Sequence, residues 1–123
     1  MSFNWSDYLI LTQNLAGKTS LPCQEAKLRT AISRAYYGAY CSTKNYLLAK
    51  GWDIPKSGEA HKLVRETLTK LGQPFNQIGS DLARLWKDRK YADYEDQFPV
   101  ALDKTAALDV ILAQRIINDL ARI

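Results

Sequence analysis

The sequence predicts an all-α protein, an up-and-down bundle of four to five antiparallel helices within a single domain, residues 1–123. Three observations predict it. Apolar residues recur at spacings of three and four along nearly the whole chain. No window shows the two-residue alternation of a half-buried strand. The glycine- and proline-bearing breaks between the periodic runs are short, and short connections make neighbouring helices antiparallel.

The first helix is expected from Asn4 to Ala16, capped by Asn4 or Ser6 and ended by Gly17. Trp5, Tyr8, Leu9, Thr12 and Leu15 fall on adjoining positions of one face. The second is long, from Leu21 to Lys50. Ser20 is its N-cap, Pro22 is tolerated in its first turn, and Gly51 sits where a terminating glycine belongs. Leu28, Ala31, Ile32, Ala35, Ala39, Thr43 and Tyr46 follow one apolar stripe. Arg29, Ser33, Tyr36 and Tyr40 follow a second, and Tyr37 and Cys41 lie on a third side with Arg34. A helix this apolar all round needs cover on several sides, from neighbours or from a second subunit, so a homodimer is expected.

Ser57 should cap a short third helix from Gly58 to Leu71, with Leu63, Thr67 and Leu68 turned inward and Gly72 and Pro74 breaking it. A fourth helix is expected from Asn76 to Arg89, with Ile78, Leu82, Leu85 and Trp86 inside. Lys90 to Phe98 reads as an irregular acidic turn. Pro99 then opens a last helix with Leu102, Ala106, Asp109, Ala113, Ile116 and Leu120 on one face.

Composition narrows the functional classes. At 123 residues, 46% apolar and 24% charged, the chain can bury a core without disulfides or metal. The formal net charge is +4 with pI near 9.1. The basic residues are scattered, so any phosphate-binding patch must be assembled by folding. No apolar run approaches the ~20 residues that span a bilayer. The start, MSFNWSDYLIL, lacks the basic segment of a signal peptide. The two cysteines, Cys23 and Cys41, would stand ~27 Å apart on one helix, too far for a disulfide. They suit a reducing compartment, and a cytoplasmic location without membrane attachment is expected. With one histidine and no Cys/His spacing that suggests zinc, no metal site is expected, and no cofactor is expected either.

Two segments carry more than a plain bundle needs. RTAISRAYYGAY, Arg29 to Tyr40, packs two arginines, a serine and three tyrosines into an apolar run. Arginine offers a planar fork suited to phosphate, and tyrosine can stack on bases. The plainer role is an ion pair and interface packing. RKYADY, Arg89 to Tyr94, forms a charged aromatic cluster in which Asp93 can pair with Arg89 or Lys90. His61 is the one side chain whose ordinary pKa lies near neutrality. Glu59, Lys62 and Arg65 read as a solvated face, and Trp86 as core.

RTAISRAYYGAY resembles the second-helix motif of one branch of the HEPN-domain family, roughly R-x-A-[IV]-S-R-A-Y-Y-A-A-F. Arg29, Ala31, Ile32, Ser33, Arg34, Ala35, Tyr36, Tyr37 and Ala39 match; Gly38 and Tyr40 stand where alanine and phenylalanine are usual. Lys50–Gly51 closing the helix, His61 after the next loop and the ADY of Ala92 to Tyr94 extend the resemblance over most of the chain. The family's ribonucleases carry an arginine, then four to six residues, then histidine, and two copies meet across a dimer. The resemblance implies metal-independent cleavage: a base activates the ribose 2′-hydroxyl, an acid protonates the leaving oxygen and arginine stabilises the phosphate charge. Here Tyr94 stands in the histidine's place, and an unperturbed tyrosine, with pKa ~10, is a poor base at pH 7.

The resemblance therefore implies a component of a toxin–antitoxin or related defence module that binds a protein partner, RNA or nucleotide through its Arg/Tyr face. Arg29, Arg34, Tyr37 and Lys90 are the expected binding residues. A minimal nucleotidyltransferase is the expected protein partner. The alternative is a metal-independent ribonuclease toxin using Arg89, Asp93, Tyr94 or His61. A purely structural helical adaptor is the third reading.

Overall fold

The computed structural model describes residues 4–16 and 24–123. It contains five helices: α1 (Asp7–Ala16), α2 (Gln24–Ala49), α3 (Ala60–Lys70), α4 (Phe75–Tyr94) and α5 (Leu102–Arg122). There is no strand among the described residues, so the all-α bundle stands. The expected stop at Gly17, the cap at Ser20, the first turn at Leu21 and Pro22, and Cys23 lie outside the described residues, as does the side chain of Leu15.

Helix α2 is the axis of the molecule. It packs against α1, α3, α4 and α5. Ala31, Ile32, Ala35, Tyr36, Ala39 and Leu47 are essentially solvent-free, and Ser33, Tyr40, Cys41 and Thr43 are buried with them. The apolar girth that suggested a second subunit is thus covered within one chain, and that ground for a dimer falls away. Small residues let neighbours approach closely. A Cβ on Gly38 would stand 3.2 Å from the Trp5 carbonyl oxygen and 3.3 Å from the Tyr8 Cβ, so α1 lies against the backbone of α2 there. The end of α2 is as expected: Gly51 takes φ +94°, Trp52 N–H donates to Leu47 C=O at 3.0 Å, and Gly51 N–H donates to Leu48 C=O at 3.1 Å.

At the start of α1, the Asn4 carboxamide oxygen accepts from Ser6 N–H at 3.2 Å and from the Ser6 hydroxyl at 2.6 Å. Helix α3 begins two residues later than predicted. Glu59 is its N-cap residue, without a side-chain cap bond, while Ser57 offers its carbonyl to Ala60 N–H at 3.1 Å. Its buried face is Ala60, Val64 and Leu68, spaced by four; Leu63, expected inside, is exposed because it lies about 100° off that line. Helix α5 begins at Leu102, three residues after the expected start at Pro99, with Ala101 as its extended N-cap residue.

The largest departure is in α4. The predicted irregular turn from Lys90 is helical as far as Tyr94. Two causes extend it. The apolar line Ile78, Leu82, Leu85 continues to buried Ala92, so another turn has something to pack against. The helix end also has a partner: Arg29 Nη1 donates to the carbonyls of Tyr91, Ala92 and Glu95 at 3.3, 3.1 and 2.6 Å, and Nη2 to that of Asp96 at 3.0 Å. Terminal carbonyls lack intrahelical donors and carry partial negative charge, so a guanidinium is well matched to them. Arg29 also pairs with Glu25, at 3.3 Å.

Polar contacts join α4 to α5. Buried Asp81 takes a two-pronged pair from Arg115, Nε at 2.9 Å and Nη2 at 2.7 Å. Further along, Asp109 of α5 is fully buried beside Asp88 of α4, which is paired with Arg84 at 3.3 Å. Neither Asp109 oxygen reaches a hydrogen-bond partner at normal geometry. Burial, reinforced by the Asp88 carboxylate and opposed by Arg84, pushes the Asp109 carboxyl up to about 9. The folded protein thus holds a proton there that the unfolded chain releases near pH 4.

Two outcomes test this account. Arg29→Ala should destabilise the protein by about 2 kcal/mol in urea unfolding, since it strips charge-assisted donors from half-buried carbonyls, and amide exchange should accelerate at Tyr91 to Tyr94 before it does elsewhere. For Asp109 the folded pKa lies above the unfolded one, so its ionisation costs stability progressively as pH rises from about 4 towards 9. Asp109→Asn should match the wild type near pH 4 and exceed it by about 1 kcal/mol or more at pH 8, read as the difference between the two denaturation curves.

Candidate functional site

The site forms where α2, α3 and α4 meet. From α2 come Ser33, Arg34, Tyr36, Tyr37 and Tyr40; from α3, His61 and Arg65; from α4, Arg89, Asp93 and Tyr94. The first group shares a side of α2 through steps of three and four residues. Arg89 and Asp93 share a face of α4 by a step of four, which exists only because α4 runs on to Tyr94.

Arg89 is held on several sides. Its Nη2 donates to the Tyr37 hydroxyl, and its Nε pairs with Asp93 Oδ2 at 3.2 Å. The same carboxylate oxygen accepts from Ser33 Oγ at 3.2 Å. The guanidinium stands 5.1 Å from the Tyr37 ring centroid, 5.7 Å from that of Tyr94 and 5.9 Å from that of Tyr36. Burial opposes its charge, but the Tyr37 bond together with Asp93 and Tyr94 leaves its pKa above the ordinary arginine value. It is a permanent cation whose fork has little freedom left. Arg34 stands 5.3 Å from the Tyr37 centroid and 5.4 Å from that of Tyr8, so it flanks the cluster.

His61 enters from α3. Its Nδ1 is hydrogen-bonded to the Tyr36 hydroxyl, and its ring stacks on Tyr40 with centroids 4.1 Å apart and planes 14° from parallel. Burial lowers its pKa, and Arg89, Arg65 and Lys44 each lower it further. The imidazole is therefore neutral at pH 7. Burial raises both phenols beside it, Tyr36 far up and Tyr40 to about 12, so both keep their protons through neutral pH. The result is a neutral imidazole and two phenols within the field of several cations, with Asp93 set against Arg89.

The structure brings five of the expected residues together: Arg34, Tyr37, Arg89, Asp93 and His61. Tyr94 stands at the edge, 72% exposed, touching the cluster through Arg89. Lys90 turns aside and lies 3.6 Å from the Trp86 centroid. Arg29, expected among the binding residues, instead spends its guanidinium on the carbonyls at the end of α4. Arg65 was expected on a solvated face, yet it is half-buried, 4.4 Å from the Trp86 centroid, with Nη1 buried and lacking a hydrogen-bond partner. Glu59 and Lys62 are exposed as expected. The roles of Ser33, Arg65 and Lys44 were missed. Ser33 carried a signal, since it lies four residues before Tyr37; for Arg65 and Lys44 only the packing of α3 on α4 and α2 reveals the role.

Among the described residues, no group of three or more His, Cys, Asp or Glu is placed to hold a metal ion. None of the helices is long and apolar enough to cross a membrane. A family model, HEPN domain, matches residues 20–123. The chain belongs to the HEPN-domain family. Comparisons with curated proteins and with solved structures gave no match. Within this HEPN domain, Tyr94 stands at the rim, while the histidine that reaches the ring cluster beside Arg89 comes from α3.

The electrostatic account is open to direct measurement. Titration of His61 by NMR should give a pKa below the usual value near 6.5, because the ring is half-buried among cations. Arg89→Ala should raise it, since one repelling charge is removed; an unchanged value would show that burial alone sets it.

Proposed function

We propose that this HEPN domain is the RNA- or nucleotide-binding component of a toxin–antitoxin or related defence module, and that it engages phosphate through the Arg89–Tyr37–His61 face. The observation that carries this reading is the Arg89 guanidinium, held by Tyr37 and Asp93 beside the ring cluster of Tyr36, Tyr37, Tyr40 and His61. Such a cation attracts phosphate, and its fork is already oriented by Tyr37 and Asp93. The exposed Tyr94 ring offers a stacking face beside it. A minimal nucleotidyltransferase is the protein partner that the family reading suggests, and pairing of two copies is the assembly it suggests. Ile10 and Leu11 of α1 and Leu108 and Ile111 of α5 leave apolar surface open to such contacts.

A metal-independent ribonuclease is the second reading, favoured by His61. Its ring is tied to Tyr36 and faces the Arg89 charge, so a neutral proton acceptor and an arginine already share one site. Against it, the chain position from which the family's histidine acts holds Tyr94, whose ring is largely exposed at the rim.

The deciding experiment measures binding and turnover of a single-stranded RNA in EDTA. Binding should weaken as salt rises, and Arg89→Ala should weaken it about tenfold and reduce the log–log salt slope by ~0.7. Turnover should be slow or absent. Robust cleavage lost in both Arg89→Ala and His61→Ala would replace the binding reading with the ribonuclease.

A further inference from the structure

His61 has a second side. A cavity of about 300 Å³ lies between α2 and the chain leading into α3, lined by Tyr40, Lys44, Leu48, Ile54, Lys56 and His61, among others. Arg89, Tyr37 and Asp93 are not part of its wall. His61 thus belongs both to this cavity and to the ring cluster of Tyr36 and Tyr37 that holds Arg89.

The chemistry of the wall is selective. It carries two lysines and no carboxylate. Neither Lys44 nor Lys56 has an ion-pair partner among the described residues. The neighbouring cavity beyond Pro55 differs, since Glu59 and Glu66 stand there with Lys62, and Lys62 pairs with Glu66 at 3.8 Å. Lys44 is half-buried and lines the cavity together with His61. Leu48, Ile54 and Pro55 supply an apolar wall. The volume is at the small end of the range for ligand pockets, about 300–1,000 Å³. Two unneutralised cations facing an apolar wall in a space this size suit one nucleotide: a phosphate on the lysines, with the sugar or base against Leu48, Ile54 and Pro55. The first turn of α3 opens at the same place, through Ala60 and His61, and its amides add partial positive charge.

We infer that this cavity is a second phosphate subsite, which holds the nucleotide adjoining the one at Arg89, so that the domain takes single-stranded oligonucleotides in preference to mononucleotides. The inference rests on the Arg89 reading for the first phosphate and adds the ligand class. It also gives His61 a place between two successive nucleotides, which neither region alone would assign.

The test compares a uridine tetranucleotide, UMP and UTP as probes, by titration calorimetry at several salt concentrations. The proteins are the wild type, Lys44→Gln/Lys56→Gln and Arg89→Gln, each checked by thermal melting. The lysine pair should lose about tenfold in affinity for the tetranucleotide and about 0.7 per lysine in salt slope, while its affinity for UMP changes at least fivefold less. Arg89→Gln should weaken all three probes. If the lysine pair binds the tetranucleotide as the wild type does, the subsite is overturned and the Arg89 reading stands. If Arg89→Gln changes nothing while the lysine pair loses the tetranucleotide, the Arg89 reading falls and the cavity remains a phosphate site. If UTP loses as much as the tetranucleotide in the lysine pair, the cavity holds the polyphosphate of one nucleotide and the oligonucleotide assignment is overturned. Absence of binding by any probe to the wild type overturns both.

Discussion

The register of α4 against α2 governs the rest of the molecule, and three contacts set it. Arg29 grips the last carbonyls of α4, from Tyr91 to Asp96. One turn along α2, Ser33 meets Asp93; one turn further, Tyr37 meets Arg89. The steps on α2 are +4, +4, and the partners run backwards along α4, so the two helices are antiparallel and the contacts form a ladder. Slipping this ladder by a turn would unpair a guanidinium from carbonyls and a second guanidinium from a carboxylate and a phenol. Both losses fall on partly buried groups, where an unmade hydrogen bond costs most. The two arginines therefore divide the labour: Arg29 secures the end of α4, and Arg89 is held against Tyr37 and Asp93.

Charge is sorted by interface. The net charge of +4 is modest, but three of the carboxylates, Asp81, Asp88 and Asp109, are buried between α4 and α5. There Asp81 is taken up by Arg115, Asp88 by Arg84, and Asp109 is kept protonated by burial. On the other side of α4 the balance reverses. Arg89, Arg65 and Lys44 act on one imidazole, and Asp93 is already matched to Arg89. A weakly basic chain thus gathers Arg89, Arg65 and Lys44 around one imidazole, while Asp81, Asp88 and Asp109 are taken up between α4 and α5.

The place of the histidine shows how position along the chain and position in space diverge. Along the chain, Tyr94 follows Arg89 at the spacing the family's nucleases use for histidine, yet its ring faces solvent. His61 is 28 residues before Arg89 in the sequence and still lies within the field of that arginine, through Tyr36 and Tyr40. A histidine can therefore reach the arginine cluster from a different helix than the motif predicts, because α3 packs on α4 and places His61 against Tyr36 and Tyr40 of α2. Arg65, one turn further along α3, follows His61 into the same region, where it covers Trp86.

What the sequence determined by itself is the class of fold, the family and most of the ingredients. Three- and four-residue periodicity is a local property, so five helices and the buried line of α2 were legible, and Gly51 marked the end of α2 because only a left-handed residue fits there. Arg34, Tyr37, Arg89, Asp93 and His61 could be named because their residue types suit phosphate and proton chemistry. Tertiary structure decided the rest. Sequence could not show that α4 continues past Arg89, since that depends on Arg29 arriving from 62 and 63 residues away to satisfy the carbonyls of Tyr91 and Ala92. Nor could it separate Arg29 from Arg89, two arginines of equal chemistry that differ only in what they meet. Leu63 and Val64 are adjacent apolar residues, and only the direction from which α4 approaches α3 buries the second and leaves the first in water. The gathering of cations around His61 is likewise a property of assembly: charge acts through space, and Lys44, Arg65 and Arg89 come from three helices.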